Sequence, residues 1–305
     1  MAQHSSWPDL DAAACRDTMT TLHLMTQVIG KVQLALTPSQ AEWAQAPLHL
    51  TARGLESQLL WPDDRGLSVG LDLVDHALRL ESTTGQRQVV PLAPGPIAGF
   101  YAAVLGALAE LDVQLVLEPT SVETRTPVAL STDDSPRGYE PRCAFALHQA
   151  WTRAAAVFDR YRSGFRGKQT PVSLWWGTFD LSVTRFSGRP ASPPYDSGRI
   201  ERAAMGAEQA LVGFWPGDEA SPAPVFFAYT YPKPPGLETA AVSPPGAGWS
   251  DDVGEFVLPY ETVRAAADPA ARLLDFCESA YAAGARLAGW DRAGLERRPS
   301  APRAA

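Results

Sequence analysis

The sequence predicts an α+β fold of two pseudo-repeats, each a helix, antiparallel strands and a closing helix, packed through apolar sheet faces into one body. Two observations predict it. Helix-period apolar runs alternate with strand-period segments, and the order of segments in the first half recurs in the second. At 305 residues and 45 % apolar composition the chain is long enough to bury one large or two small cores.

In the first half, residues 18–29 read as a helix, Gly30-Lys31 as its end, and 32–36 as a strand. Segment 48–54 carries Leu-x-Leu-Thr-x-Arg. The alternating strands 67–76 and 77–81 follow, and 89–92 lead into an apolar helix over 97–111. In the second half, 143–165 reads as a helix with Phe145, Trp151, Phe158 and Phe165 near one face. Gly167-Lys168, a strand over 172–176 and the segment 179–185 then repeat the earlier order. Residues 225–231 form a further strand. Asp268 N-caps a last helix with Pro269 at its first position, and 268–289 carries an apolar stripe. The divisions are an arm over 1–14, a first repeat over 15–125, a connector over 126–142 and a second repeat over 143–291. Inserts rich in Pro and Gly occupy 188–222 and 232–254, and a disordered tail occupies 292–305. The alternative to duplication is coincidence, since glycine ends helices in any α+β protein.

Net charge is −8 with no basic stripe, which disfavours nucleic-acid binding by the molecule as a whole. No apolar run is long enough for a membrane span, and the start lacks a secretory pattern. Cys15, Cys143 and Cys277 are widely spaced and odd in number, giving neither a disulfide framework nor a zinc spacing. These features predict a cytoplasmic protein with reduced thiols. There are only three lysines, so each lysine position is informative. Walker, dinucleotide-binding, nucleophile-elbow, HExxH and CxxC motifs are all missing from the chain.

His23, Gln27 and Lys31 are spaced i, i+4, i+8 and share one helix face, a row suited to an acid or carbonyl ligand. The competing reading is a solvated face. Arg53, Arg185 and Arg189 offer guanidinium forks for carboxylate or phosphate. Packing of the halves about a pseudo-twofold would bring Lys31, Lys168, Arg53 and Arg185 to one cleft. Otherwise they pair with the chain's own carboxylates, Asp72, Asp180, Glu255 and Glu261. Asp72 and His76 make a weak metal-site candidate, because their spacing is not diagnostic. The aromatics Trp175, Trp176, Trp215, Phe226, Phe227, Tyr229, Tyr231 and Tyr260 read chiefly as core. Phe227, Tyr229 and Tyr231 also share a strand face suited to a flat or cationic ligand.

The chain resembles the bacterial DUF5996 proteins, a domain of unknown function, over nearly its whole length. The matching stretches include Thr-Arg-Phe-Ser-Gly-Arg at 184–189, Gly-Phe-Trp-Pro-Gly at 213–217 and Glu-Phe-Val-Leu-Pro-Tyr at 255–260. The resemblance implies histidines that this chain lacks. Ala41-Glu42 stands for an expected Asn-His, Ser173 or Leu174 for a histidine, 194–198 for Pro-His-Pro-Gly-Gly, and Ala207-Glu208 for part of Ser-His-Glu. The residues that persist are His23, Gln27, Lys31, Arg53, His76, Lys168, Asp180, Arg185, Arg189, Glu255 and Tyr260.

The expectation is an enzyme acting on a small anionic or carbonyl-bearing molecule by general acid–base chemistry in a cleft between the repeats, lidded by 188–222. His23 carries the proton, Lys31 and Arg185 hold the substrate's negative charge, Asp180 or Glu255 orients one of these three, and Gln27, Arg53, Lys168, Trp176, Arg189, Tyr229 and Tyr260 also bind substrate. No cofactor, resident metal, nucleic acid or membrane partner is expected. The alternatives are a non-catalytic small-molecule binder with an aromatic pocket, and a metal-dependent enzyme.

Overall fold

A computed structural model describes residues 7–195, 198–218 and 220–297. Helix α1 (Ala12–Ala35) starts where Asp11 accepts a hydrogen bond from the Ala14 amide. It runs straight through Gly30 and Lys31, so the expected strand over 32–36 is its last turn. Gly30 is not a helix end but a gap. A Cβ there would lie 2.1 Å from the Trp176 indole, which packs flush against the helix backbone.

The strands form one sheet of eleven, in the order β10-β11-β9-β8-β7-β6-β1-β2-β3-β4-β5, with every neighbouring pair antiparallel. The first half supplies β1 (Leu48–Leu50), β2 (Gly54–Glu56), β3 (Leu67–Asp72), β4 (Ala77–Ser82) and β5 (Arg87–Pro91), closed by α2 (Ile97–Ala109). The second half opens on α3 (Pro141–Ser163). It continues with β6 (Ser173–Trp175), β7 (Asp180–Pro190), α4 (Arg199–Ala204), β8 (Ala207–Trp215), β9 (Val225–Tyr231), β10 (Gly248–Ser250) and β11 (Glu255–Pro259). Helices α5 (Tyr260–Arg264), α6 (Pro269–Leu287) and α7 (Arg292–Leu295) complete it.

The α+β class holds, but the packing differs from the expected face-to-face arrangement. The two strand sets join edge to edge, where β1 pairs with β6 at Leu48↔Leu174 and His49↔Ser173. An apolar layer of helices then covers one face of the joined sheet. α1 packs on α3 and α3 on α6, and α3 and α6 rest on β7, β8 and β9. Alternation along β7 sends Leu181, Val183 and Arg185 under the helices and Asp180, Thr184 and Phe186 to the other face.

Three further expectations need correction. Cys15 and Cys143 are not reduced thiols; they form a disulfide that ties α1 to α3 across 128 residues, and only Cys277, buried on α6, is free. Spacing could not reveal the pair because it joins two helices far apart in sequence. The 188–222 segment is not all loop, since β8 lies inside it and is a central strand. The tail is ordered to Arg297. α7 folds back onto the end of α3, where Arg166 N–H donates to Leu295 O and Arg297 N–H to Gly164 O. Residues 298–305 lie outside the described residues. The arm is anchored too, because Trp7 is buried against Phe226 and Tyr260. No helix among the described residues is long and apolar enough to cross a membrane.

Candidate functional site

The face of the sheet opposite α3 and α6 carries a cleft of about 790 Å³. Its floor follows from strand alternation: Trp175 on β6, Asp180, Thr184 and Phe186 on β7, Gln209, Leu211 and Trp215 on β8, Val225, Phe227 and Tyr229 on β9, and Glu255 and Val257 on β11. Gly213 belongs to the same face and has to be glycine. The Phe227 ring lies over it, and a Cβ there would come within 2.5 Å of that ring. The walls come from outside the sheet. The short helical turn Ala41–Trp43 contributes Glu42 and Trp43, the loop after α2 contributes Glu123, and α4 contributes Ile200, Glu201 and Ala204.

Backbone strain gathers here. Six described non-glycine residues have positive φ. Glu42, Trp43 and Glu123 among them line the cleft, and Phe179 adjoins Asp180. Glu123 reaches across Gly177, where a Cβ would sit 2.0 Å from its Oε2.

Six carboxyl side chains line the cleft (Glu42, Glu123, Asp180, Glu201, Asp252 and Glu255) together with seven aromatic ones, Trp43, Trp175, Trp176, Phe186, Trp215, Phe227 and Tyr229. Among the described residues, none that lines the cleft is Lys, Arg or His. Burial pushes the Glu123 carboxyl up to about 7, with Asp180 and Glu201 adding like-charge repulsion. Burial raises Asp180 to about 6, against a hydrogen bond donated by the Thr178 hydroxyl. Glu255 rises to about 7 through burial and the nearby charge of Asp180. The Tyr229 phenol is held far above its usual value by burial, then by Glu255, Asp180 and Glu123. Glu123, Asp180, Glu255 and Tyr229 therefore share one field, while the cations that touch the cleft lining, Lys168 on Glu42 and Arg199 at 5.9 Å from the Trp43 ring centroid, engage its wall.

Of the site residues expected from sequence, Asp180, Glu255, Trp176 and Tyr229 meet in this cleft. Lys168 stands at its rim, ion-paired with Glu42 and 5.0 Å above the Phe186 ring. The expected convergence of Lys31, Lys168, Arg53 and Arg185 does not occur. Lys31 is buried on α1, its pKa lowered by that burial, with Glu118 as its electrostatic neighbour. Arg53 sits in the β1–β2 turn, pairing with Asp72 at 2.5 Å and Asp75 at 2.6 Å, and Arg79 completes the cluster. Arg185 faces the helices. Its guanidinium lies 3.3 Å from the Tyr161 ring centroid and 4.4 Å from that of Tyr281, and it pairs with Glu278 at 3.2 Å. Arg189 binds Glu208 and caps α6, donating to Ala288 O at 2.7 Å and Gly289 O at 3.2 Å. Tyr260 is core, its hydroxyl donating to Pro8 O.

His23 and Gln27 do share a face of α1, but they lie one layer behind the cleft. His23 Nε2 donates to Gly177 O at 2.8 Å and its ring stacks on Phe179. Burial lowers its pKa, which favours the neutral ring. The Gln27 amide pairs with the Val122 backbone in both directions, at 2.8 and 3.0 Å, and donates to Gly177 O at 3.1 Å. The two side chains thus pin the backbone that carries Glu123 and Trp176 into the cleft. His76 bonds the Tyr139 hydroxyl at 2.9 Å rather than joining Asp72. Among the described residues no group of three or more His, Cys, Asp or Glu is arranged to hold a metal ion.

Sequence reasoning missed Glu42, Glu123, Glu201 and Asp252. All four lie in turns, in the loop after α2 or on the short α4, where no periodicity marks a side chain's direction. Glu42 occupies a position where the family resemblance expects histidine, and it lines the cleft.

Fold and cleft together define a class: a single antiparallel sheet backed by helices, with an acidic, aromatic recess on its open face. The chain matches the model of a family of unknown function, DUF5996, over residues 7–297, and belongs to that family. No curated protein and no solved structure matches it.

Proposed function

We propose that the protein binds a small organic cation in the cleft and that Glu123, Asp180 and Glu255 are its proton-exchanging groups. One observation carries this reading: among the described residues six carboxyls and seven aromatic rings line the recess, and of the six only Glu42 has a basic partner, Lys168 at the rim. Aromatic faces and carboxylates are the two protein groups that attract an ammonium, and both strengthen where water is excluded. An anionic substrate would meet repulsion here, since Lys31, Arg53 and Arg185 are all spent elsewhere.

Acid–base turnover is a second reading of the same site. Buried carboxyls with values of about 6 to 7 exchange protons near neutrality, where general acids and bases are most effective. α4, the helical part of 188–222 in the cleft wall, then serves as a lid.

The test is a thermal-shift panel at pH 8. Aryl- and alkyl-ammonium compounds are expected to raise the melting temperature, while matched carboxylates and neutral isosteres leave it unchanged. Stabilisation by the carboxylates and not by the amines contradicts the proposal.

The finer fold reading, descent from a duplicated unit, has support in the order of elements. Each half runs from a long helix through a strand set to a closing helix, and the sets meet at β1 and β6. Lys31 and Lys168 give it none, since one lies inside a helix and the other five residues past α3.

A further inference from the structure

The cleft holds more negative charge than one ammonium can balance, and that charge is spread rather than focused. Asp180 sits on β7 and Glu255 on β11, with β8 and β9 between them. Glu255 lies level with Tyr229, Leu211 and Thr184, so three strand spacings across and four residues along separate its backbone from that of Asp180, about 20 Å on a flat sheet. Glu123 stands beside Asp180 at one end, and Asp252 precedes Glu255 at the other. Between the two ends the floor is aromatic and apolar: Trp215, Phe227 and Tyr229 present rings, and Leu211 fills the row between Thr184 and Tyr229.

A second feature is independent of the acid count. Asp180 is only 7 % exposed, yet it lines the cleft, and no cation contributes to its field. The Thr178 hydroxyl donates to Asp180, so what stays uncompensated is the carboxylate's charge, and burying it is costly unless a cation arrives.

We infer that the ligand carries two cationic groups joined by an apolar or flat spacer, one group meeting Asp180 and Glu123 and the other meeting Glu255. This rests on the organic-cation reading above and adds the second charge and the spacing. An unbranched α,ω-diamine is the simplest molecule of this class. Its ends are ammonium groups and its middle is hydrocarbon, matching an acid–aromatic–acid floor. A ligand with one charge leaves Glu255 or Asp180 facing apolar material unpaired, which the two-charge ligand avoids.

Calorimetric titration of the full chain at pH 8 with 1,3-diaminopropane, 1,5-diaminopentane and 1,8-diaminooctane tests this, each beside the monoamine of equal length. The expected result is an optimum in spacer length, at which the diamine binds at least tenfold tighter than its matched monoamine. In Glu255→Gln the diamine-to-monoamine ratio at that optimum should fall to near one. Monoamines binding as tightly as diamines at every length overturns the two-charge inference and leaves the organic-cation reading standing. Failure of both series to bind overturns the reading itself.

Discussion

Replacing Asp180 with asparagine should weaken binding of an organic cation at pH 8 at least tenfold, and should make the unliganded protein more stable at that pH. The two effects have opposite signs because one carboxylate causes both. Its folded-state value, about 6, lies above the ordinary 3.8, and the cause is burial. Between pH 4 and 6 the folded chain therefore binds more protons at this site than the unfolded chain does, and stability falls as pH rises through that window. Above pH 6 the full penalty is present, about 3 kcal/mol for a shift of about two units. Asparagine keeps an oxygen for the Thr178 hydroxyl and has no charge to desolvate. Denaturant unfolding at pH 8 is expected to show the variant as the more stable protein, with the difference vanishing below pH 4. A variant less stable by the same amount at both pH values would mean that Asp180 is an ordinary structural carboxylate. Asp72 shows what that looks like. Hydrogen bonds from Arg53, Arg79 and two backbone amides outweigh its burial and hold its pKa well below the usual range, so its stabilisation is present above the unfolded value and is lost on acidification.

Gly30→Ala carries the second large effect, and here helix propensity points the wrong way. In an exposed helix interior the change adds about 1 kcal/mol of stability. In α1 the new methyl would lie 2.1 Å from Trp176 Cε2, inside the indole. The ring cannot retreat freely, because its Nε1 donates to Ala46 O at 2.8 Å and β6, which it directly follows, is paired on both sides. Overpacking of this kind costs about 1–3 kcal/mol or more. Trp176 also lines the cleft, so displacement should reduce cation affinity in whatever variant still folds. The measurement is denaturant unfolding together with amine titration of the same preparation. A variant of wild-type stability and affinity would show that the indole does not depend on the glycine.

Much of the architecture is legible in the residues. The alternation over 67–81 and 225–231 gave strands where they occur, Asp268 caps α6 as its type and position suggest, and Asp180, Tyr229 and Glu255 fall on one face by counting in twos. Gly30-Lys31 misled, because a glycine that makes room for a tryptophan looks in sequence like one that ends a helix. Arg185 misled for a related reason. Its position in a strand of alternating character was visible, but whether odd or even residues meet the helices was not, and that parity decides whether the guanidinium reaches a ligand or stacks on Tyr161 and Tyr281. Pairing across the molecule, as in the Cys15–Cys143 disulfide or Gln27 with Val122, depends on contacts between segments far apart in the chain. Local pattern does not encode them. The charge of the cleft was hidden in the same way, since Glu42, Glu123 and Glu201 come together from three separate segments.

The central claim is that cleft carboxylates, not lysines or arginines, receive the ligand. Calorimetric titration of a saturating alkyl diamine at pH 8 and at pH 5 tests it most directly. The ammonium groups stay protonated across this range, so any change in affinity comes from the protein. With Glu255 at about 7 and Asp180 at about 6, protonation of Glu255 alone should cost about 100-fold in affinity at pH 5 and protonation of both about 1,000-fold, and binding near pH 6.5 should release protons. Affinity that is constant with pH, or that strengthens toward pH 5 with proton uptake, contradicts the account.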